Sequence, residues 1–181
     1  MGFELKTLNG YDMFEVASAL QKEIRRGNKQ MAVFWGLELW RSNEHFKGYE
    51  EYLWRRLLVI SAEDILHPFA PIVVKGLYDL YKTVDADKKK HRIFITRAIV
   101  DLCNYPKNRN ADHMQILTDK MLENGEKSEI PEYALDKHTR RGKMAGKSTI
   151  DFLKAEYEAL QPLVEDEEDK ESYNKLLTLF D

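Results

Sequence analysis

Residues 49–65 read YEEYLWRRLLVISAEDI, and the spacing of their apolar side chains decides the fold. Tyr52, Leu53, Leu57 and Ile60, with Asp64–Ile65 one turn on, recur at three-and-four spacing, the mark of an amphipathic helix. Trp54, Leu58 and Val59 widen the apolar face beyond the ~100° stripe of an ordinary surface helix. A face that wide has to be covered on more than one side, which puts this helix at the centre of its domain. Arg55–Arg56 leave the apolar run on one side, and Glu63–Asp64 close it at the predicted C-terminus. Acidic groups there oppose the helix dipole, so they need a partner, most simply a basic side chain from another helix. Arg55, Arg56, Glu63 and Asp64 are the candidate structural ion pairs.

Further helices flank this one. After a short extended start, Asn9–Gly10 turns the chain. Asp12 with Glu15 has the spacing of a capping box for a first helix, Asp12 to Arg26, with Phe14, Ala17, Leu20 and Ile24 facing inward. Gly27–Asn28 stops it. Gln30 to Arg41 is apolar nearly all round and predicts a deeply buried second helix. Ser42 to Gly48 is a polar break before the central helix. His67–Pro68–Phe69–Ala70–Pro71 cannot continue a helix, whereas Pro71 suits the first turn of a fourth, running to about Val84. A charged turn is expected at 85–90. A fifth helix follows, His91 to Asn104, with Ile93, Ile95, Ala98, Ile99 and Leu102 inward.

Tyr105 to Asn110 (YPKNRN) is rich in helix breakers. A sixth helix, Ala111 to Asn124, ends at Gly125, and Pro131 opens a seventh with Tyr133, Ala134 and Leu135. Gly142–Gly146 reads as a flexible segment. Thr149 to Leu160 is an eighth helix, and Pro162 with an acidic run leads to a short last one, Tyr173 to Phe180. No period-two run long enough for a sheet occurs. The expected fold is all-α, a compact multi-helix domain over residues 1–160 followed by an acidic linker and short helix over 161–181.

A chain of 181 residues is one domain, or one domain with an appendage. Its net charge of −3 argues against a general nucleic-acid coat, but the charge is unevenly spread. Residues 137–147 (KHTRRGKMAGK) carry five basic residues and no acid, and residues 165–171 (EDEEDKE) carry six acids and one lysine. Cys103 sits in an apolar run and reads as a small buried hydrophobe. The N-terminus lacks the charged start and apolar core of a signal peptide, and no apolar run approaches the ~20 residues of a membrane span. A cytoplasmic location is expected.

Little here looks catalytic. Gly142-Lys-Met-Ala-Gly146-Lys147-Ser148-Thr149 resembles a phosphate-binding P-loop, but it is one residue short between its glycines and follows no buried strand. The segment can still grip an anion. Arg140, Arg141, Lys143 and Lys147 lie ahead of a helix N-terminus at Ser148–Thr149 and are the candidate DNA or anion contacts. Arg25, Arg26 and Lys29 form a weaker basic cluster on a polar face. His45, His67, His91, His113 and His138 show no pair at metal-ligand spacing. No metal and no cofactor is expected. Trp35, Trp40 and Trp54 lie in apolar helices, and with Leu57 they are candidates for the core or an oligomer interface.

Four segments in series resemble one family. Ala17–Arg25 with Met31–Trp35 is similar to a helix pair, and Arg55-Arg56-Leu57 with Ser61–Ile65 to an Arg-Arg-Leu…Glu-Asp-Ile helix, in the C-terminal region of the replication-associated recombination protein A (MgsA) family of AAA+ ATPases. Ala98 to Asn110, containing Pro106-Lys107-Asn108, and Ile130–His138 with Gly142-Lys143 and Gly146-Lys147 resemble two further stretches of that region. The resemblance implies an all-helical domain related to clamp-loader collars. Such a domain holds ATPase subunits together, as tetramers, around stalled or damaged replication forks.

Three departures go with it. The ATPase module that precedes this region in the family is not expected here, so motor activity is not carried over. Leu66 stands where the family has glycine, with Pro68 and Pro71 in the next loop. The family's tail after Lys147 is replaced by a helix and an acidic end. The expectation is therefore a non-catalytic oligomerisation or adaptor domain, self-associating or joining an AAA+ ATPase. The alternative is a small DNA-binding accessory protein that uses residues 137–147.

Overall fold

The computed structural model of the chain describes residues 5–84 and 88–180, the side chains of residues 88–91 excepted. Its architecture is all-α. Asp12 caps helix α1 (Met13–Arg26), its carboxylate accepting from the Phe14 and Glu15 N–H groups. Glu15 makes no return bond, so only half of the expected box is formed. Gly27 stops the helix in the left-handed region, at φ 70°. Helices α2 (Lys29–Ser42) and α3 (Tyr49–Glu63) follow, then α4 (Ala70–Thr83), which has a proline in its first turn. Of the expected charged turn at 85–90, residues 85–87 lie outside the described residues and the rest begin α5 (Lys88–Asn104). Helix α6 (Asn110–Glu123) comes next.

The chain divides into two compact units, Met1–Asn124 and Gly125–Asp181. The boundary thus falls after α6 and not at residue 160. In the second unit Glu132–Ala134 makes only a single 3-10 turn, in place of the expected seventh helix. The segment read as flexible contains a short helix, α7 (Arg140–Met144). Helices α8 (Thr149–Glu158) and α9 (Glu167–Phe180) complete the unit. The acidic run is not a linker: Glu167, Glu168 and Asp169 form the first turn of α9, where the helix dipole favours negative charge.

Helix α3 is central to the first unit, touching α1, α2, α4, α5 and α6. Leu53, Trp54, Leu57 and Ile60 are buried from it, against Leu20 and Ile24 of α1, Leu39 of α2, Val74 of α4, and Ile95, Ile99 and Leu102 of α5. Four expected inward positions differ. Phe14 is 58% exposed and Ile93 60%, while Met13 and Val16 take the inner side of α1. On α2, Met31 and Phe34 face outward, and the buried set includes Glu38 and Ser42. These two polar side chains serve the N-terminal turn. Glu38 accepts from the Asn9 backbone and side-chain N–H groups at 3.0 and 2.6 Å, and Ser42 Oγ accepts from the Leu8 N–H at 2.8 Å.

Helices α2 and α5 meet closely because Gly36 has no side chain: a Cβ there would lie 2.3 Å from Ile99 Cδ1. Ile99 is fully buried and has little room to move. Gly36→Ala is expected to cost about 1–3 kcal/mol through overpacking, despite alanine's better helix propensity. The midpoint of urea unfolding measures it.

Among the described residues, every buried apolar side chain belongs to the first unit. The second unit buries only Gly142 and leaves Ile130, Tyr133, Met144, Val164 and Leu179 between 63% and 80% exposed. Helix α6 also has no buried residue, with Met114, Leu117 and Met121 on one exposed face. Among the described residues, no helix is long and apolar enough to cross a membrane.

Candidate functional site

Glu63 and Asp64 end α3 with two carboxylates where the dipole disfavours them, and Asp64 is fully buried. Arg25, in the last turn of α1, bridges the pair. Its Nε donates to Asp64 Oδ1 at 2.8 Å and its Nη2 to Glu63 Oε1 at 3.1 Å. Arg109 comes from the YPKNRN loop on the other side, and its Nη2 donates to the same Glu63 oxygen at 2.6 Å. Arg109 Nε lies 3.2 Å from Asp64 Oδ1 at an angle that makes no directed hydrogen bond, so this second contact is coulombic. Asp112, in the first turn of α6, also faces Arg109, at 2.7 Å. Burial works against the Arg109 charge but is outweighed by its bond to Glu63 and by the three nearby carboxylates, and its pKa rises.

Gln21 fills the remaining sites of this node. Its Nε2 donates to Asp64 Oδ2 at 2.8 Å and to Glu63 Oε2 at 3.2 Å, and its Oε1 accepts from Arg56 Nη2. The backbone closes the same junction. Leu66 N–H donates to Pro106 O at 2.9 Å and Asn108 N–H to Asp64 O at 3.0 Å. The Lys107 ammonium donates to the carbonyls of Cys103 and Tyr105, and burial lowers its pKa. The node therefore ties α1, the end of α3 and the α5–α6 loop together, with its charges largely compensated from within.

The structure redistributes the candidate ion pairs. Glu63 and Asp64 are paired as expected, by basic groups from other elements. Arg56 instead meets the neutral Gln21, and Arg55 is exposed with no ion pair among the described residues. Arg25, placed by its sequence on a polar face, is one of the two cations that matter; Arg109 is the other. The signal for both was the uncompensated acidic pair. Trp54 and Leu57 are 1% and 0% exposed and belong to the core, so neither is available to a second molecule in this fold. Trp35 and Trp40 pack partly buried against that core, Trp40 donating its Nε1–H to the Tyr81 hydroxyl at 3.1 Å.

Arg140, Arg141, Lys143 and Lys147 are all exposed, and none has an ion-pair partner among the described residues. What holds their segment is Gly142. Its N–H donates to Thr139 Oγ1 at 3.0 Å, and a Cβ there would sit 1.8 Å from the Asp136 carbonyl oxygen. The glycine of the P-loop look-alike is a packing glycine within α7. The N-terminus of α8 is not open to an anion either. Asp151 takes it, accepting from Ser148 N–H and Oγ–H at 2.8 Å while Ser148 Oγ accepts from Asp151 N–H at 3.1 Å.

Those bonds to Ser148 depress the Asp151 pKa below 3.8. A depressed carboxylate contributes stability above its unfolded pKa and loses it as pH falls through the folded one. The first turn of α8 is therefore expected to fray below about pH 4, seen as amide shift changes at 149–152, and Asp151→Asn is expected to remove that transition.

No group of three or more His, Cys, Asp or Glu side chains among the described residues is placed to hold a metal ion. Burial raises the Cys103 thiol pKa, with Lys107 and Lys29 acting against the rise. Fold and sites together define an all-helical chain with a cored first unit, locked by a buried ion-pair node, and a charge-divided second unit without an apolar core. Comparison with protein-family models and with curated proteins gives no match to it.

Proposed function

We propose that the chain is a non-catalytic oligomerisation or adaptor domain, self-associating or joining an AAA+ ATPase in replication-fork maintenance and recombination. The observation that carries this is apolar surface without cover. The described residues of the second unit include no buried apolar side chain, and α6 turns Met114, Leu117 and Met121 outward. Patches of that kind are typical of interaction surfaces. The link to replication rests on the family resemblance. In its favour, residues from three separate resembling segments, Arg25, Glu63–Asp64 and Lys107–Asn108, meet at one junction.

Light scattering at two salt concentrations tests the proposal. A mass near four times 21.3 kDa is expected for a collar-type tetramer. A monomer that also fails to retain the cell's AAA+ ATPases in a pull-down contradicts it.

The second reading is a DNA-binding accessory protein, and the four exposed, unpaired cations of 140–147 favour it. Forked-DNA affinity that falls steeply with salt, and is lost in Lys143→Glu/Lys147→Glu, is its expected signature.

A further inference from the structure

The second unit carries a basic surface, an acidic surface and an apolar groove. Tyr157 of α8 stacks on Tyr173 of α9, with centroids 4.2 Å apart and rings 13° from parallel. Beside this pair lies a groove of about 520 Å³, lined by Leu153, Leu160 and Leu176, with the carboxylate residues Glu156 and Asp169 also on its wall. Between Ser148 and Phe180, acidic residues outnumber lysines nine to three. The carboxylates of the acidic run pair only locally, Glu165 and Glu167 with Lys170 and Glu171 with Lys175.

The basic segment has the opposite character and a fixed shape. Thr139, Gly142 and the Asp136 carboxylate, which accepts from the His138 and Thr139 N–H groups at 2.8 and 3.1 Å, hold its turn. Its arginines and lysines point to solvent, and Met144 is 79% exposed at the end of α7. No ion pair joins the two surfaces within the described chain. Each lacks a complement of the kind the other supplies.

We propose that residues 140–147 of one copy seat on the α8–α9 groove of a second copy, with Met144 in the apolar slot and Arg140 and Arg141 against Glu156 and Asp169. The unbranched, polarisable Met side chain fills irregular apolar gaps well. A turn already held in place loses little entropy on docking, and opposite charges steer and orient the approach. Each chain carries both halves of the contact, so copies joined head to tail close into a ring, four of them in the tetramer proposed above. The contact rests on the self-association proposed above and names its surface.

The test uses full-length chains with exposed substitutions, their helicity checked by circular dichroism. Arg140→Glu/Arg141→Glu sets like charges against Glu156 and Asp169, and Glu156→Lys/Asp169→Lys sets like charges against Arg140 and Arg141. Each variant alone is expected to associate about tenfold or more weakly than the wild type in sedimentation velocity. An equimolar mixture of the two is expected to regain wild-type association, because residues 140 and 141 of each chain then meet residues of opposite sign at 156 and 169 of the other. If the wild type assembles but either variant assembles equally well, or the mixture stays dissociated, this contact is wrong and self-association stands. A wild type that is monomeric at every concentration, as when the segment folds onto its own groove, overturns both.

Discussion

Asp64→Ala is expected to lower the unfolding free energy by about 3 kcal/mol, the low end of the range for breaking a buried ion pair. Asp64 is fully buried, and its two oxygens accept from Arg25 Nε and Gln21 Nε2. Its removal leaves donors inside the junction without acceptors. Arg25 and Arg109 keep 32% and 35% of their side-chain surface, so both regain some water, which holds the loss at the lower end. Asp64→Asn keeps the shape and the backbone bond to Asn108 but not the charge, and an intermediate loss is expected. Urea unfolding measures both through a lower midpoint at unchanged slope. A change under about 1 kcal/mol for Asp64→Ala is what an exposed pair gives, and it would show that the node is not what ties α1, α3 and the α5–α6 loop together.

Trp54→Ala is expected to cost about 4 kcal/mol, within the range for a buried large aromatic, and to produce the largest drop in thermal midpoint of any single tryptophan substitution here. Trp54 is 1% exposed and sits between Tyr78 and Tyr81, each 5.4 Å away between ring centroids. Three elements lose packing at once, because α4 reaches α3 through those two tyrosines. The Tyr81 hydroxyl also accepts from Trp40, so a shift of Tyr81 spreads the damage to α2. Trp35→Ala should cost less, since Trp35 is only partly buried and packs edge-on to Tyr11 and Phe34, which are 43% and 46% exposed. Equal costs for the two substitutions would contradict the central place given to α3.

The all-α architecture was legible in the apolar spacing, and the central position of α3 in the width of its stripe. The arc that each helix buries was less so. Spacing put Phe14 and Ile93 inward, but periodicity locates a stripe without fixing its edges. Phe14 lies at such an edge, its ring 6.2 Å from Tyr52. Glu38 and Ser42 are buried for a reason outside their own helix, the unsatisfied N–H groups of residues 8 and 9. The need for a cation beside Glu63–Asp64 could be read from the dipole argument. That Arg25 and Arg109 would supply it could not, because both lie far away in sequence. In the second unit a run of acids looked like a linker, although the same acids at a helix start favour the helix. Gly142 reads in sequence as part of a flexible segment, whereas the Asp136 carbonyl packs against it.

Hydrogen exchange on the full-length chain, at concentrations well below and well above association, separates two parts of the molecule: the core of α1 to α5 is complete in itself, and the second unit is completed by another molecule. Amides of α1 to α5 are expected to be protected to the same degree at both concentrations, and those of α8 and α9 only at the higher. Equal protection of α8 and α9 in the dilute monomer would contradict it, as would their failure to gain protection on assembly.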